Sequence, residues 1–329
     1  MTDFMIYGAT GYTGRIASEH AKHLGLRFIV AGRTTAAVTE LASSLHAPYR
    51  VFDIDNNKQL DSHLAGIQIL LNCAGPFMHT AEPFIRACIR NGVHYMDIAA
   101  ELESYQLAEK HDKDARTAHV MLLPGCGGSV AMLGCLAGHI VGAVERPARI
   151  DIALHVAGSM SRGSAISAAE NLTQICLQRQ NGRLVEQDAN DDATFDFDNG
   201  KGQVQCFPVT LPDLITIWKS TKVSNIRTFV HVSGDAFPTG PLDGLPDGPT
   251  PEQREKTPYD ASVIVTAEDG SLRRAVLHTV NGYSFTPMAS VEAVRRVLAG
   301  EVREGFQTPA GLFGHTFVQA VPGSSIKDL

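Results

Sequence analysis

Over the first 123 residues, apolar runs and amphipathic stretches follow one another in a regular rhythm. Residues 4–7, Phe-Met-Ile-Tyr, form a short apolar run that breaks at Gly8. After Gly11 and Gly14, Ile16, Ala17, Ala21 and Leu24 fall on one face of a helix over 16–24. The same reading predicts strands over 26–31, 49–52, 67–71, 93–96 and 119–123. Helices are predicted over 36–45, 60–64, 82–91 and 104–118, with Gly92 at a C-terminal cap. Strand and helix in strict alternation imply right-handed crossovers and a doubly wound parallel sheet.

Beyond Pro124-Gly125 the rhythm changes. A helix of small apolar residues is predicted over 130–141, a strand over 148–156 and a helix over 163–177. Residues 181–202 are polar and acidic and read as a loop with at most a short strand. A helix over 211–218 and a strand over 225–232 follow, and the proline- and glycine-rich stretch 233–258 reads as an exposed loop. Strands over 261–266 and 272–280 flank Glu268-Asp269-Gly270, a hairpin signal. A last amphipathic helix covers 288–299. The expected fold class is α/β with three parts: a nucleotide-binding domain over 1–123, an α+β substrate and dimerisation domain with a mainly antiparallel sheet over 124–287, and a helical segment over 288–329 returning to the first domain.

Composition narrows the function. The 329 residues allow two domains, and a net charge of −7 argues against nucleic acid or an anionic membrane as partner. No apolar run is long enough to span a bilayer, and the N-terminus lacks a basic segment followed by an apolar one, so a cytoplasmic location is expected. Six cysteines occur without a C-x-x-C pair and thirteen histidines without an H-E-x-x-H motif. The cysteines are therefore expected to be small packing residues in a reducing compartment, and no metal site is expected.

The chemistry lies at the predicted strand ends. Gly8-x-x-Gly11-x-x-Gly14, between a strand and a helix, allows the backbone to approach a pyrophosphate at a helix N-terminus. Gly8, Thr10, Gly11, Tyr12, Thr13 and Gly14 are the candidate phosphate-binding residues. The second strand ends in Arg33 and Thr34, with no acid before Glu40. NAD calls for a carboxylate there and NADP for a cation, so NADP is expected, with Arg33 on the 2′-phosphate. Asp53 is a candidate for the adenine amine, equally readable as a turn residue. Asn72, Cys73, Ala74, Gly75 and Pro76 let main chain pass close to the nicotinamide ribose.

Together these stretches resemble the saccharopine dehydrogenase-like oxidoreductases, a group that includes trans-acting enoyl reductases. The likeness rests on residues 7–15, on Ala31-Gly32-Arg33, and on Asn72-Cys73-Ala74-Gly75-Pro76-Phe77. It also rests on Glu82-Pro83 with Ala87-Cys88, on residues 92–97 running on to Glu101, and on Gly305-Phe306-Gln307-Thr308-Pro309-Ala310 with Gly314. It is dense over residues 4–101 and thin from about 150 to 280. The resemblance implies a Rossmann-like NADP-binding domain with an inserted α+β domain, and a homodimer. In one place the chain departs from the family. Where many relatives carry G-F-D-S-x-P-x-D, this chain has Gly125-Cys126-Gly127-Gly128-Ser129-Val130-Ala131-Met132, with both acids replaced, at Gly127 and Met132.

A dehydrogenase needs an acid or base near the nicotinamide. Asp97 and Glu101, at the end of the fifth strand, are the first candidates for polar substrate contact or catalysis; the competing role for Asp97 is a turn acceptor. Tyr95, His79, Cys126, Ser129 and Arg162 are further candidates. Saccharopine has three carboxylates and calls for convergent cations, for which Arg162, Arg179, Arg183 and Lys201 are the main candidates. The expected function is an NADP-dependent oxidoreductase acting on a small molecule held between the domains. The alternatives are a catalytically inactive NADP-binding sensor or scaffold, and an enoyl reductase-like activity.

Overall fold

A computed structural model describes residues 4–54, 57–171, 175–234 and 244–329. In chain order the first elements are β1 (Phe4–Tyr7), α1 (Tyr12–His23), β2 (Phe28–Gly32), α2 (Thr35–Leu45), β3 (Tyr49–Val51), α3 (Asn57–Leu64) and β4 (Ile69–Asn72). They continue with α4 (Phe77–Asn91), β5 (His94–Asp97), α5 (Leu102–Lys110), α6 (Asp112–Thr117), β6 (Met121–Leu123), α7 (Gly128–Val141), β7 (Pro147–Ala157) and α8 (Arg162–Asn171). Next come β8 (Leu177–Gln180), β9 (Arg183–Glu186), β10 (Ala193–Asp196), β11 (Gln203–Pro208), α9 (Asp213–Thr221), β12 (Ile226–Ser233) and α10 (Pro251–Lys256). The last are β13 (Tyr259–Ala267), β14 (Leu272–Thr279), α11 (Gly282–Leu298), β15 (Gly305–Phe306), α12 (Pro309–Phe313) and β16 (Ser325–Asp328). Two units result. One comprises Met1–Gly127 with Thr286–Gln307, the other Gly128–Phe285 with Thr308–Leu329. The segment 288–329, expected as one returning piece, is thus shared between the two.

The first unit is a parallel sheet in the order β15-β6-β5-β4-β1-β2-β3. β1, β2 and β4 are buried along their whole length, as strands covered on both faces must be, so their sequences are continuous apolar runs. Without β15 the order is 3-2-1-4-5-6, the doubly wound Rossmann arrangement. β15 adds a strand that periodicity did not show, because two residues are too few to display one. It is held by hydrogen bonds from Gly305 N–H to Val120 O and from Gln307 N–H to Leu122 O, both 2.8 Å. Two helices differ from expectation. The helix predicted over 104–118 breaks at the buried His111 into α5 and α6. α4 starts at Phe77, five residues before Glu82, and takes Pro83 into its second turn.

The second unit is built on a mixed sheet in the order β10-β11-β12-β7-β13-β14-β16, with β8 and β9 attached beside β12. Only the β12–β7 pair among these described strands is parallel; the others are antiparallel, as expected. The stretch 181–202 is richer in structure than its polarity suggests, containing β9 and β10. Edge strands that bury one face weakly carry too few apolar residues to reveal a period of two. The predicted loop over 233–258 lies partly outside the described residues. Its later portion forms α10, opened by a capping box in which Thr250 and Gln253 satisfy each other's backbone N–H groups. The helix expected to run to residue 177 gives way to β8 at Leu177.

α7, with nine buried residues, packs on β7, β13 and β14. A second cluster of Ala153, Phe195, Phe197, Cys206 and Phe229 is buried between β7, β10, β11 and β12. Among the described residues no helix is long and apolar enough to cross a membrane. Phe229 is fully buried in that second cluster, so Phe229→Ala is expected to destabilise the second unit by about 3–5 kcal/mol. Denaturant unfolding followed by the fluorescence of Trp218, the only tryptophan and part of α9, checks this directly.

Candidate functional site

The carboxyl ends of β2, β1 and β4 lie side by side where the strand order reverses, and loops leaving such a point diverge to leave a crevice. Gly8 leaves β1 with φ +77°, and a Cβ there would sit 2.7 Å from Ala74 N and 2.8 Å from Cys73 C. The strand ends are laced together by hydrogen bonds from Ala9 N–H to Ala31 O (3.1 Å) and from Cys73 N–H to Tyr7 O (2.8 Å). α1 sits directly on this turn: a Cβ on Gly14 would lie 2.2 Å from Gly8 O. Only glycine is compatible with either approach. Gly11 caps α1 with no side-chain hydrogen bond, and the first turn holds no acid, so the positive end of the helix dipole is not neutralised locally.

The structure brings the predicted cofactor residues together at this edge. Gly8, Thr10, Gly11, Tyr12, Thr13 and Gly14 make the β1–α1 turn, and Thr10 Oγ1 lies 3.8 Å from the Cβ position of Gly32 at the end of β2. Arg33 and Thr34 follow β2 and are exposed; Thr34 begins α2 without using its hydroxyl as a cap. Asp53 follows β3, is exposed, and accepts the Ile54 N–H at 2.6 Å, which is a turn contact. Asn72, Cys73, Ala74, Gly75 and Pro76 follow β4, with the Gly75–Pro76 peptide cis. Asn72 Oδ1 accepts the Ala74 N–H at 3.0 Å, and its Nδ2 donates to Thr80 Oγ1 at 3.0 Å. A turn cleared of side chains at the head of a helix is a shape that a pyrophosphate fills, so these residues fit a dinucleotide.

Asp97 and Glu101 sit in a different kind of setting. The Asp97 side chain is fully buried; Oδ1 accepts N–H groups from Ala99 (2.9 Å) and Gly125 (2.7 Å), and Oδ2 accepts the Tyr95 hydroxyl at 2.7 Å. Burial pushes its carboxyl up to about 6, although these three hydrogen bonds oppose the shift. Glu101 is 5% exposed and accepts the first two N–H groups of α4, from Phe77 at 3.0 Å and Met78 at 2.7 Å. It is an N-terminal anchor supplied from another loop. Both carboxylates therefore bond to backbone. Tyr95, pushed well up by burial and by Asp97, also accepts from Asn72 Nδ2 at 3.4 Å. A polar chain from Thr80 through Asn72 and Tyr95 to Asp97 results. Its one sequence signal was the placement of Tyr95 and Asp97 two residues apart, on one side of a strand.

The remaining candidates separate. Cys126 is fully buried, and burial together with Asp97 raises its thiol well above the usual range, as burial and Asp97 also do at Cys73. Neither thiol has the electropositive setting of a nucleophile. His79 is exposed in the first turn of α4, and Ser129 is half-buried in the first turn of α7. Arg162 is ion-paired with Asp247. Arg179 is buried, donates to Leu214 O and Gly182 O at 2.6 Å each, and lies 4.3 Å over the Trp218 ring. Arg183 and Lys201 are exposed. The replaced acids have a packing explanation. A Cβ on Gly127 would come within 2.6 Å of Thr286 O, and Met132 is 1% exposed in the core of α7.

Residues 4–122 match the family model described as the saccharopine dehydrogenase NADP binding domain. The chain is similar to a trans-acting enoyl reductase of Mycobacterium leprae (strain TN), 27% identical over 133 residues, covering 38% of this chain and 32% of that protein. It is also similar to a saccharopine dehydrogenase-like oxidoreductase of Mus musculus, 31% identical over 134 residues, covering 34% and 31% of the two chains. The matched part thus spans about a third of the length of these curated relatives. The structure of saccharopine dehydrogenase (L-Glu forming) from Saccharomyces cerevisiae shares the fold, with a TM-score of 0.70 at 11% identity over 100% of both chains. The first unit has a Rossmann-like sheet, and its likeness to the saccharopine dehydrogenase-like oxidoreductases, read from the motifs, is shown.

The two buried carboxylates make measurable predictions. Between about pH 4 and pH 6 folded Asp97 keeps a proton that the unfolded chain has released, so its contribution to stability falls as pH rises through that window. Asp97→Asn, which retains the Oδ1 acceptor, should flatten this slope in denaturation midpoints taken at about pH 4.5 and about pH 7.5. Asp97→Ala should cost about 2–4 kcal/mol at either pH, because two buried N–H groups lose their acceptor. For Glu101→Ala, thermal unfolding should show a loss of about 1–2 kcal/mol from the uncapped α4, with Glu101→Gln recovering part of it.

Proposed function

We propose that the first unit binds NADP(H) across the carboxyl edge of its sheet, and that the chain is an NADP-dependent oxidoreductase of the saccharopine dehydrogenase-like type. The observation that carries this is the turn at Gly8 and Gly14, where no side chain fits, set at the point of strand reversal. In this reading the α1 N-terminus and the 8–14 turn hold the pyrophosphate. Arg33 pairs with the 2′-phosphate, and Thr34 donates to it. Backbone of 72–76 flanks the nicotinamide ribose. The bound dinucleotide supplies hydride transfer. Asp97 and Glu101 act as positioning residues, holding the loops after β4, β5 and β6. The substrate is a small molecule, and the chain works as a cytoplasmic homodimer, expectations that rest on the family likeness.

Saccharopine itself is disfavoured as substrate, since Arg162 is ion-paired and Arg179 buried on Trp218. An enoyl reductase-like activity is the second reading. It rests on the likeness to a trans-acting enoyl reductase over about a third of that protein. NADPH consumption with an enoyl thioester but not with saccharopine would support it; NADPH binding without turnover of any enoyl or imine compound would favour the sensor or scaffold alternative.

Calorimetric titration tests the cofactor. NADPH should bind at one site per chain and more tightly than NADH, and Arg33→Ala should weaken NADPH roughly 10–100-fold while leaving NADH nearly unchanged. Equal or tighter binding of NADH by the unaltered chain would overturn the assignment to NADP.

A further inference from the structure

The second unit has a cavity of its own. β7 and β12 run parallel, so their carboxyl ends meet at one edge of the sheet, and β13 begins beside them. A cavity of about 480 Å³ opens there. His155, Ser233 and Asp260 lie at its base: His155 Nε2 is 2.8 Å from Ser233 Oγ, and His155 Nδ1 is 3.4 Å from Asp260 Oδ2. Asp260 also accepts from Asn199 Nδ2 at 2.9 Å, and its Oδ1 lies 2.8 Å from His278 Nδ1. Burial alone would raise its carboxyl, but the bonds from His155, Asn199 and His278 outweigh that and hold it below its usual value. The base is thus a pre-ordered polar network.

The rim supplies charge. Lys201, after β10, and Lys256, at the end of α10, both line the cavity, together with Gln253, Ser159 and Thr257. Among the described residues neither lysine has a carboxylate within ion-pair distance. The volume falls in the range of small-molecule sites, and a largely apolar lining carries a few convergent polar groups.

We infer that this cavity binds a small hydroxylated monocarboxylate, with Lys201 and Lys256 facing its carboxylate and Ser233 and His155 its hydroxyl groups. Charge selects one carboxylate. Among the described lining residues, the Lys201 and Lys256 ammonium groups attract an anion while Asp260 repels one, which favours the low charge of a carboxylate. A dianionic phosphate would bring a second negative charge next to Asp260 and is repelled more strongly. The hydroxyl preference follows from the Ser233–His155 pair, which has both donor and acceptor capacity at the base. The inference goes beyond the cofactor assignment and uses none of its residues.

Isothermal titration of the full chain with D-glycerate, propionate and inorganic phosphate tests it. D-Glycerate should bind saturably at one site per chain, propionate more weakly and phosphate weakest. The Lys201→Ala/Lys256→Ala double variant should weaken D-glycerate roughly tenfold or more. Ser233→Ala should narrow the gap between D-glycerate and propionate, and Lys113→Ala, on exposed α6, should change nothing. NADPH affinity, measured on the same samples, should be unaffected by all three changes, and the fluorescence of Trp218, in α9 of the second unit, reports that each variant is folded. No saturable D-glycerate binding, tighter binding of phosphate, or equal weakening by Lys113→Ala would each overturn the inference. A chain that binds D-glycerate but no NADPH would leave it standing while removing the cofactor assignment.

Discussion

The first unit depends on one buried carboxylate. Asp97, at the end of β5, receives an N–H from Ala99 just after its own strand and another from Gly125 just after β6, while Tyr95 links it to Asn72 at the end of β4. The carboxyl ends of three neighbouring strands are thereby joined through one group. Burying a carboxylate is costly unless its oxygens are satisfied, and here three donors offset the cost without cancelling it. What the arrangement secures is the course of the loops leaving the sheet, and those loops form the edge proposed to hold the dinucleotide.

Glu101 extends the same logic. It accepts the leading N–H groups of α4, and so fixes how the chain turns from Pro76 into the helix. The glycine turn at Gly8 leans on the backbone of Cys73 and Ala74, whose path is set by Asn72 and Thr80. Buried acids thus shape the edge from below, while the cation at the end of β2, Arg33, stays exposed.

The second unit applies comparable physics to a different sheet. Its apolar faces are divided between α7 on one side and the Phe195–Phe197–Phe229 cluster on the other. At the carboxyl ends of β7 and β12 that apolar face passes into the His155–Asp260 network. Cross-strand register explains the change, since His155 and Asp260 are direct partners in the β7–β13 pair. A polar pair at one register position, satisfied by Ser233, Asn199 and His278 from three segments, marks where the core stops and the cavity begins.

The alternation of apolar runs and amphipathic stretches was enough to derive the doubly wound sheet and the strand ends at Gly8, Arg33, Asn72 and Asp97, because those patterns are local and the buried parallel strands are apolar throughout. The hairpin around Gly270 was legible for the same reason. β8 to β11 and α10 were not, since short, weakly buried strands and a helix following a proline-rich stretch carry no strong period. The roles of Asp97 and Glu101 were beyond sequence as well. A carboxylate at a strand end reads the same whether it meets substrate or backbone, and only the packing of Gly125, Phe77 and Met78 against them decides which. Likewise the glycine spacing implied a phosphate turn, but that no side chain fits at Gly8 is a fact of tertiary distance, since it depends on Cys73 and Ala74 reaching the same point in space, whereas Gly14 is held by the close return of α1 onto Gly8 O.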